Sequence, residues 1–214
     1  MPPLSPPQEC PGIPNLAVLH AGTQVWRVHA EDRIPDASNT TVPGPGRGGR
    51  FDSDDGFCAY TYLGADENAA IAETLCRDLP FDGRPRMVPR IKLANAMLSS
   101  LTVSEDLNVV SLCGADATQV GQDVWLTSCD PDQYPLTRRW AAAIRSWVLS
   151  ADGLVYRCRH DQNRLAWARF VDNPAPETHP HLHTTATPIR LDGPVGEALV
   201  RRVLVDHNAT LSRL

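Results

Sequence analysis

"VPGPGRGGRFDSDDG", residues 42–56, carries Gly44, Gly46 and Gly49 at the G-x-G-x-x-G spacing of a dinucleotide-binding turn. That fingerprint needs a strand ending at the first glycine and a helix opening near the third, so that a pyrophosphate meets free helix N–H groups. The neighbours supply neither. Loop-forming residues precede Gly44, and "RFDSDDG" after Gly49 reads as a short strand and a turn. Pro45 interrupts the motif and no G-K-[ST] follows. The stretch therefore argues against a doubly wound nucleotide fold. Its glycines instead bring the backbone up to Arg50, whose planar fork of donors suits a phosphate or carboxylate.

Upstream, "TQVWRVHA" alternates as a half-buried strand, with Val25, Arg27 and His29 on one face. Residues 31–49 are rich in proline, glycine and small polar residues, a loop long enough to carry function. Downstream, "CAYTYL" is a strand candidate. "ADENAAIAETLCRDL" follows as a helix capped by Asp66, with Ala70, Ile71, Thr74 and Leu75 on an apolar stripe and Glu73 near its middle. "MVPRIKL", "AMLSSLTV" and "NVVSL" read as strands, the first at an edge because of Pro89. Beyond them come a helix at "LTRRWAAAIRSWVL", strands at "GLVYRC", "LAWARF" and "TPIRL", and a last helix at "GEALVRRVLVDH". The expected fold class is α+β, in one domain over residues 16–214 preceded by a proline-rich, weakly ordered arm over residues 1–15.

Bulk properties narrow the function. The 214 residues suit a single core, and 19 prolines suit a loop-rich chain. A net charge of −5 argues against a nonspecific grip on nucleic acid but leaves room for a local basic site. The six cysteines have neither C-x-x-C nor zinc-finger spacing and read as reduced, mostly buried thiols. "MPPLSPPQECPGIP" lacks a basic start followed by an apolar run, and no later stretch reaches the length of a membrane span, so a cytoplasmic location is expected.

The order Arg27 on an early strand, Arg50 in a glycine frame, Tyr62 on the next strand, Glu73 on the following helix and "DGLVYRCRHD" far downstream resembles the RES-domain family. The matching stretches are "VWRVHA", "GGRFDSDDGFCAYTYLGADENAAIAETL" and "TRRWAAAIRSWVLSADGLVYRCRHDQNRLAWARF", which lie within about residues 23–170. The resemblance implies a twisted, split β-sheet with flanking helices, as in ADP-ribosyltransferases, and an enzyme that degrades NAD+. Carried over, Arg27, Arg50 and Tyr62 bind the substrate; Glu73, Arg50 and Cys158 form the catalytic set. Cys158 departs from the family's serine, and a thiol is larger and a poorer donor than a hydroxyl. Tyr60, two residues before Tyr62 and on the same strand face, is a rival for the tyrosine position.

These residue types suit cleavage of the nicotinamide–ribose bond. The leaving nicotinamide is already cationic, so it departs without a general acid, while a carboxylate such as Glu73 can stabilise the oxocarbenium character of the ribose. Two arginines would neutralise the pyrophosphate and a tyrosine ring would stack on nicotinamide or its ribose. Expected, then, is an NAD+ phosphorylase or glycohydrolase with phosphate or water as acceptor, NAD+ being its substrate and no further cofactor or metal being needed. By the same resemblance it would be a toxin held by a DNA-binding antitoxin protein. Alternatives are mono-ADP-ribosyl transfer to a protein and a catalytically inactive nucleotide-binding module, for which Cys158 is the main support.

Other clusters read more simply. His179, His181 and His183 alternate as ligands would, but Pro180 favours an irregular surface segment over a metal site. Arg84, Arg86 and Arg90 suit an exposed loop and edge strand as well as an anion. Trp140 and Trp147, seven apart on one helix, read as core anchors. His160 and Asp161 sit beside Cys158 as an ordinary polar turn.

Overall fold

In the computed structural model, residues 5–44, 46–80, 82–172 and 181–213 are described. Their framework is one large mixed sheet. β1 (Leu16–Leu19), β6 (Leu107–Ser111), β7 (Gly153–Cys158), β8 (Asp161–Asp172) and β3 (Cys58–Gly64) form one half. β2 (Gln24–Ala30), β5 (Ala96–Val103), β10 (Ile189–Arg190) and β9 (Leu182–Thr184), which also pairs β5, form the other. Only β6 and β7 run parallel in it.

The halves meet at a single residue pair. β2 is laddered along its whole length to β5, from Gln24↔Thr102 to Ala30↔Ala96, whereas against β3 it pairs only through Trp26↔Gly64. β3, in turn, is zipped to β8 from Cys58 to Gly64. The sheet therefore splits between β2 and β3. Gly64 stands at the junction because helix α1 (Glu67–Ile71) crosses directly over it: a Cβ there would lie 2.5 Å from Ala70 N.

Each face of the sheet is covered. α3 (Tyr134–Trp147) presses Trp140, Ala141 and Ile144 onto Phe51, Tyr156, Ala166 and Phe170. Trp147 meets Trp140 edge to face at 6.1 Å. α4 (Pro194–Asp206) brings Val200, Val203 and Leu204 against Ile71, Leu75 and Leu79, beside a small parallel pair of β4 (Arg86–Val88) and β11 (Ala209–Leu211). A third cluster, including Val25, Leu63, Leu101, Val155 and Trp167, fills the opposite face. The short α2 (Trp125–Ser128) tucks Leu126 beneath the first cluster.

Several local expectations change. "MVPRIKL" is not one strand: Pro89, which has no N–H to give a ladder, ends β4, and Arg90–Leu93 winds into a 3-10 turn. "RFDSDDG" is turn and bend with no strand. "LAWARF" is the middle of a longer, twelve-residue β8. In the amino-terminal arm, Trp147 Nε1 donates to Gln8 O at 3.1 Å, Cys10 Sγ reaches Gln119 O, and Asn15 Nδ2 donates to Asp116 at 2.7 Å. All six cysteines are unpaired thiols, four of them buried. No helix among the described residues is long and apolar enough to cross a membrane.

Candidate active site in the sheet split

The split opens into a cavity of about 300 Å³, bounded by β2 on one side and by β3, the glycine segment and α1 on the other. Arg27, Arg50, Tyr62 and Glu73 all line it, as do Tyr60, Tyr156, Asp52 and Arg77.

The glycine segment works as a support for Arg50. Gly46 and Gly48 take φ of +67° and +87°, and a Cβ on Gly49 would come within 2.7 Å of both Asp52 Oδ1 and Tyr62 Oη. The segment is bolted from three sides. Asp52 accepts from Gly49 N at 2.6 Å, Arg138 Nε donates to Gly49 O at 3.0 Å, and Thr137 Oγ1 donates to Arg50 O at 2.7 Å. Tyr62 accepts from Phe51 N at 2.7 Å and donates to Asp52 Oδ1 at 2.8 Å. Burial and the neighbouring Asp52 carboxylate push the Tyr62 phenol well above its ordinary pKa, so it stays a donor.

Arg50 is 2% exposed, held between the rings of Tyr134 at 5.4 Å and Phe51 at 5.8 Å, with Nη1 3.9 Å from Glu73 Oε2. Burial alone would lower its pKa most, but Glu73, then Tyr134 and Tyr156, outweigh it, and the guanidinium is held above its usual value. Its Nε and Nη2 have no hydrogen-bond acceptor among the described residues. A buried donor left without an acceptor is costly.

Glu73 arrives by an irregular route. Asp66 caps α1 by accepting from Ala69 N at 2.7 Å, and the chain then widens into a π-helix over Ala72–Cys76. Such insertions recur at functional sites because they re-aim one side chain without ending the helix. The Glu73 carboxylate accepts from Arg159 N at 2.7 Å and from Tyr156 Oη at 3.4 Å, and its side chain is 13% exposed.

Arg27 faces the same cavity from β2. Its Nη1 donates to Pro35 O at 2.8 Å and to Ala37 O, so it also ties down the long loop. Burial, then repulsion from Arg33, lowers its pKa to about 10, which leaves it charged at neutral pH and under-compensated. Tyr60 Oη accepts from Asn39 Nδ2 at 2.8 Å and donates to Thr41 O at 3.0 Å, anchoring that loop. Of the two tyrosines, both of which line the cavity, Tyr60 is buried and Tyr62 half-buried.

Cys158 is placed differently from the expectation. It is 0% exposed, packs in the apolar core and does not line the cavity. Burial first, then the Glu73 charge, raises its thiol pKa far above the ordinary range. The thiol facing Arg50 belongs to Cys129, whose pKa burial raises against the opposing pull of that guanidinium. Sequence reasoning missed Tyr156, although it precedes Cys158 by two on the same strand, and Asp52, two residues after Arg50.

The remaining clusters disperse. His179 lies outside the described residues, His181 abuts Glu105, and no three potential metal ligands gather among the described residues. Arg90 pairs with Glu197, Arg86 reaches His207 O and His160, and Arg84 stays exposed beside Asp82, so the three arginines form no common anion site.

Comparison with solved structures finds the toxin–antitoxin complex MbcT–MbcA of M. tuberculosis. The chain superimposes on it with a TM-score of 0.60 at 14% identity, covering 87% of this chain and 91% of that one, a likeness of fold. No curated protein matches the chain. The family model described as the RES domain matches residues 24–192, which takes in Arg27, Arg50, Tyr62, Glu73 and Cys158 together. With that match laid over a split sheet whose cleft joins four of those five residues, the chain belongs to the RES-domain family.

Proposed function

We propose that the chain cleaves the nicotinamide–ribose bond of NAD+, with phosphate or water as acceptor. The observation that carries this reading is the Arg50–Glu73 pair, 3.9 Å apart in one cavity with Tyr62 and Arg27. In the reading, Arg27 and the unpartnered nitrogens of Arg50 take the pyrophosphate, and the Tyr62 ring packs on the nicotinamide side. Glu73, kept in place by Arg159 N and Tyr156, faces the anomeric carbon. The C–N bond breaks with its electron pair passing to the pyridinium nitrogen, so nicotinamide leaves neutral. An oxygen of phosphate or water bonds to the same carbon, and in hydrolysis the surplus proton goes to solvent. Glu73 opposes the positive charge that builds on the ribose.

The family and the neighbouring fold further support reading the chain as the toxin of a toxin–antitoxin pair, its antitoxin being a protein that covers the cleft. Incubating the purified chain with NAD+, with and without phosphate, and identifying products by mass spectrometry tests the reading. ADP-ribose 1-phosphate marks phosphorolysis, ADP-ribose hydrolysis, and an ADP-ribosylated protein marks transferase activity. NAD+ bound but intact in reduced protein would overturn cleavage and leave a nucleotide-binding module.

A further inference from the structure

Outside the cleft, a further arginine is buried without a bonded acceptor for two of its nitrogens among the described residues. On β8, Ala168 pairs with Tyr62, and Arg169, the next residue, pairs with Thr61. Successive strand residues point to opposite faces, so Arg169 is turned away from the cleft. It is 4% exposed, and among the described residues no acceptor reaches its Nε or Nη1. It lines a cavity of about 390 Å³ together with Arg145, Ser146, Asp152, Asp172 and His181, none of which lines the cleft.

The surrounding charges are already engaged. Arg145 pairs with Asp172, and Asp152 Oδ2 accepts from Asn108 N at 2.8 Å. His181 abuts Glu105, and Ser146 Oγ donates to Ala143 O at 2.7 Å. Arg169 thus keeps a formal charge with no bonded counter-ion among the described residues, and burial, only partly opposed by Asp152, lowers its pKa. An isolated buried guanidinium is among the costlier groups a core can hold, and an apolar residue of similar length would spare that cost. Facing a cavity, it is paired once an acceptor enters from outside.

We propose that this cavity binds a small oxyanion, a carboxylate or a phosphate, on the Arg169 guanidinium. The planar fork of donors matches either group in bidentate fashion. The site is independent of the NAD+ reading.

The test is amide NMR of the full chain titrated separately with inorganic phosphate and with acetate, following Gly153, Arg169 and Phe170. Saturable shifts at these amides with one or both anions are expected. Arg169→Met should weaken the saturation midpoint by about tenfold to a hundredfold, while Arg169→Lys retains part of it. Saturation by phosphate alone identifies a tetrahedral ligand, and by acetate alone a carboxylate. The unliganded Arg169→Met protein should melt higher than wild type, which checks that it folds, and any nicotinamide release should be unchanged. Absence of saturable shifts with both anions, or shifts as strong in a folded Arg169→Met protein, would overturn the site. Cleft binding of phosphate registers instead at Gly49 and Arg159.

Discussion

Replacing Glu73 by glutamine removes one charge while keeping the acceptor that Arg159 N uses at 2.7 Å. At the 3.9 Å separating Arg50 Nη1 from Glu73 Oε2, a unit charge pair is worth about 4 kcal/mol at an effective dielectric of about 20. A ribose carbon carrying partial positive charge at similar range loses somewhat less, because the amide dipole remains. A loss of about 3 kcal/mol in transition-state stabilisation corresponds to a turnover lower by about a hundredfold or more. NAD+ affinity should hold or tighten, since the pyrophosphate no longer shares Arg50 with a carboxylate. The same change leaves a buried cation short of its partner, so stability should fall by roughly 2–3 kcal/mol, with Tm lower by roughly 4–12 °C. The assay is nicotinamide release well below the variant's Tm, with NAD+ binding measured by calorimetry. A folded variant whose kcat stays within about threefold of wild type would refute the electrostatic role of Glu73.

Cys158→Ser should keep or raise turnover, because the side chain lies outside the cavity lining, and should lower Tm, because a hydroxyl without an acceptor enters an apolar core; a loss of activity at unchanged Tm would contradict both. Gly49→Ala should reduce nicotinamide release, since its Cβ would fall 2.7 Å from Tyr62 Oη and Asp52 Oδ1; Gly46→Ala, with nothing within 4 Å, carries only the backbone strain of its positive φ and serves as the control. Burial, the largest influence, lowers the His160 pKa from 6.5 to about 4. The unfolded chain therefore binds the extra proton first, and stability should be fully present above pH 6.5 and decline as pH falls towards 4. Urea midpoints across that window should flatten in His160→Gln, and an equal slope in both proteins would remove His160 from the account.

The cleft was legible where local chemistry and chain order agree. Alternation in β2 put Val25, Arg27 and His29 on one buried face, as found. The spacing from Asp66 to Glu73 gave a capped helix, but no period-counting reveals that the helix widens to a π turn before the carboxylate. The glycine frame was read as a support for Arg50; its bolts, Thr137 and Arg138, lie some ninety residues away and no local pattern announces them. Cys158 failed as a cavity residue for a related reason. Its strand was identified, and Cys158 shares a core cluster with Tyr156, but how far along β7 the cavity reaches depends on distant packing and on the irregular register at Arg157 and Cys158. Tyr156 occupies the neighbouring inward position and touches the carboxylate instead.

The lone Trp26↔Gly64 pairing has a consequence for solvent as well as for ligands. In an antiparallel ladder alternate residues direct their peptide groups to opposite neighbours, so β2 spends half of its N–H groups on β5 and turns the rest towards the seam. Deuterium should accordingly enter this strand every second residue, marking from the inside of a closed sheet an edge that strands normally show only at its rim.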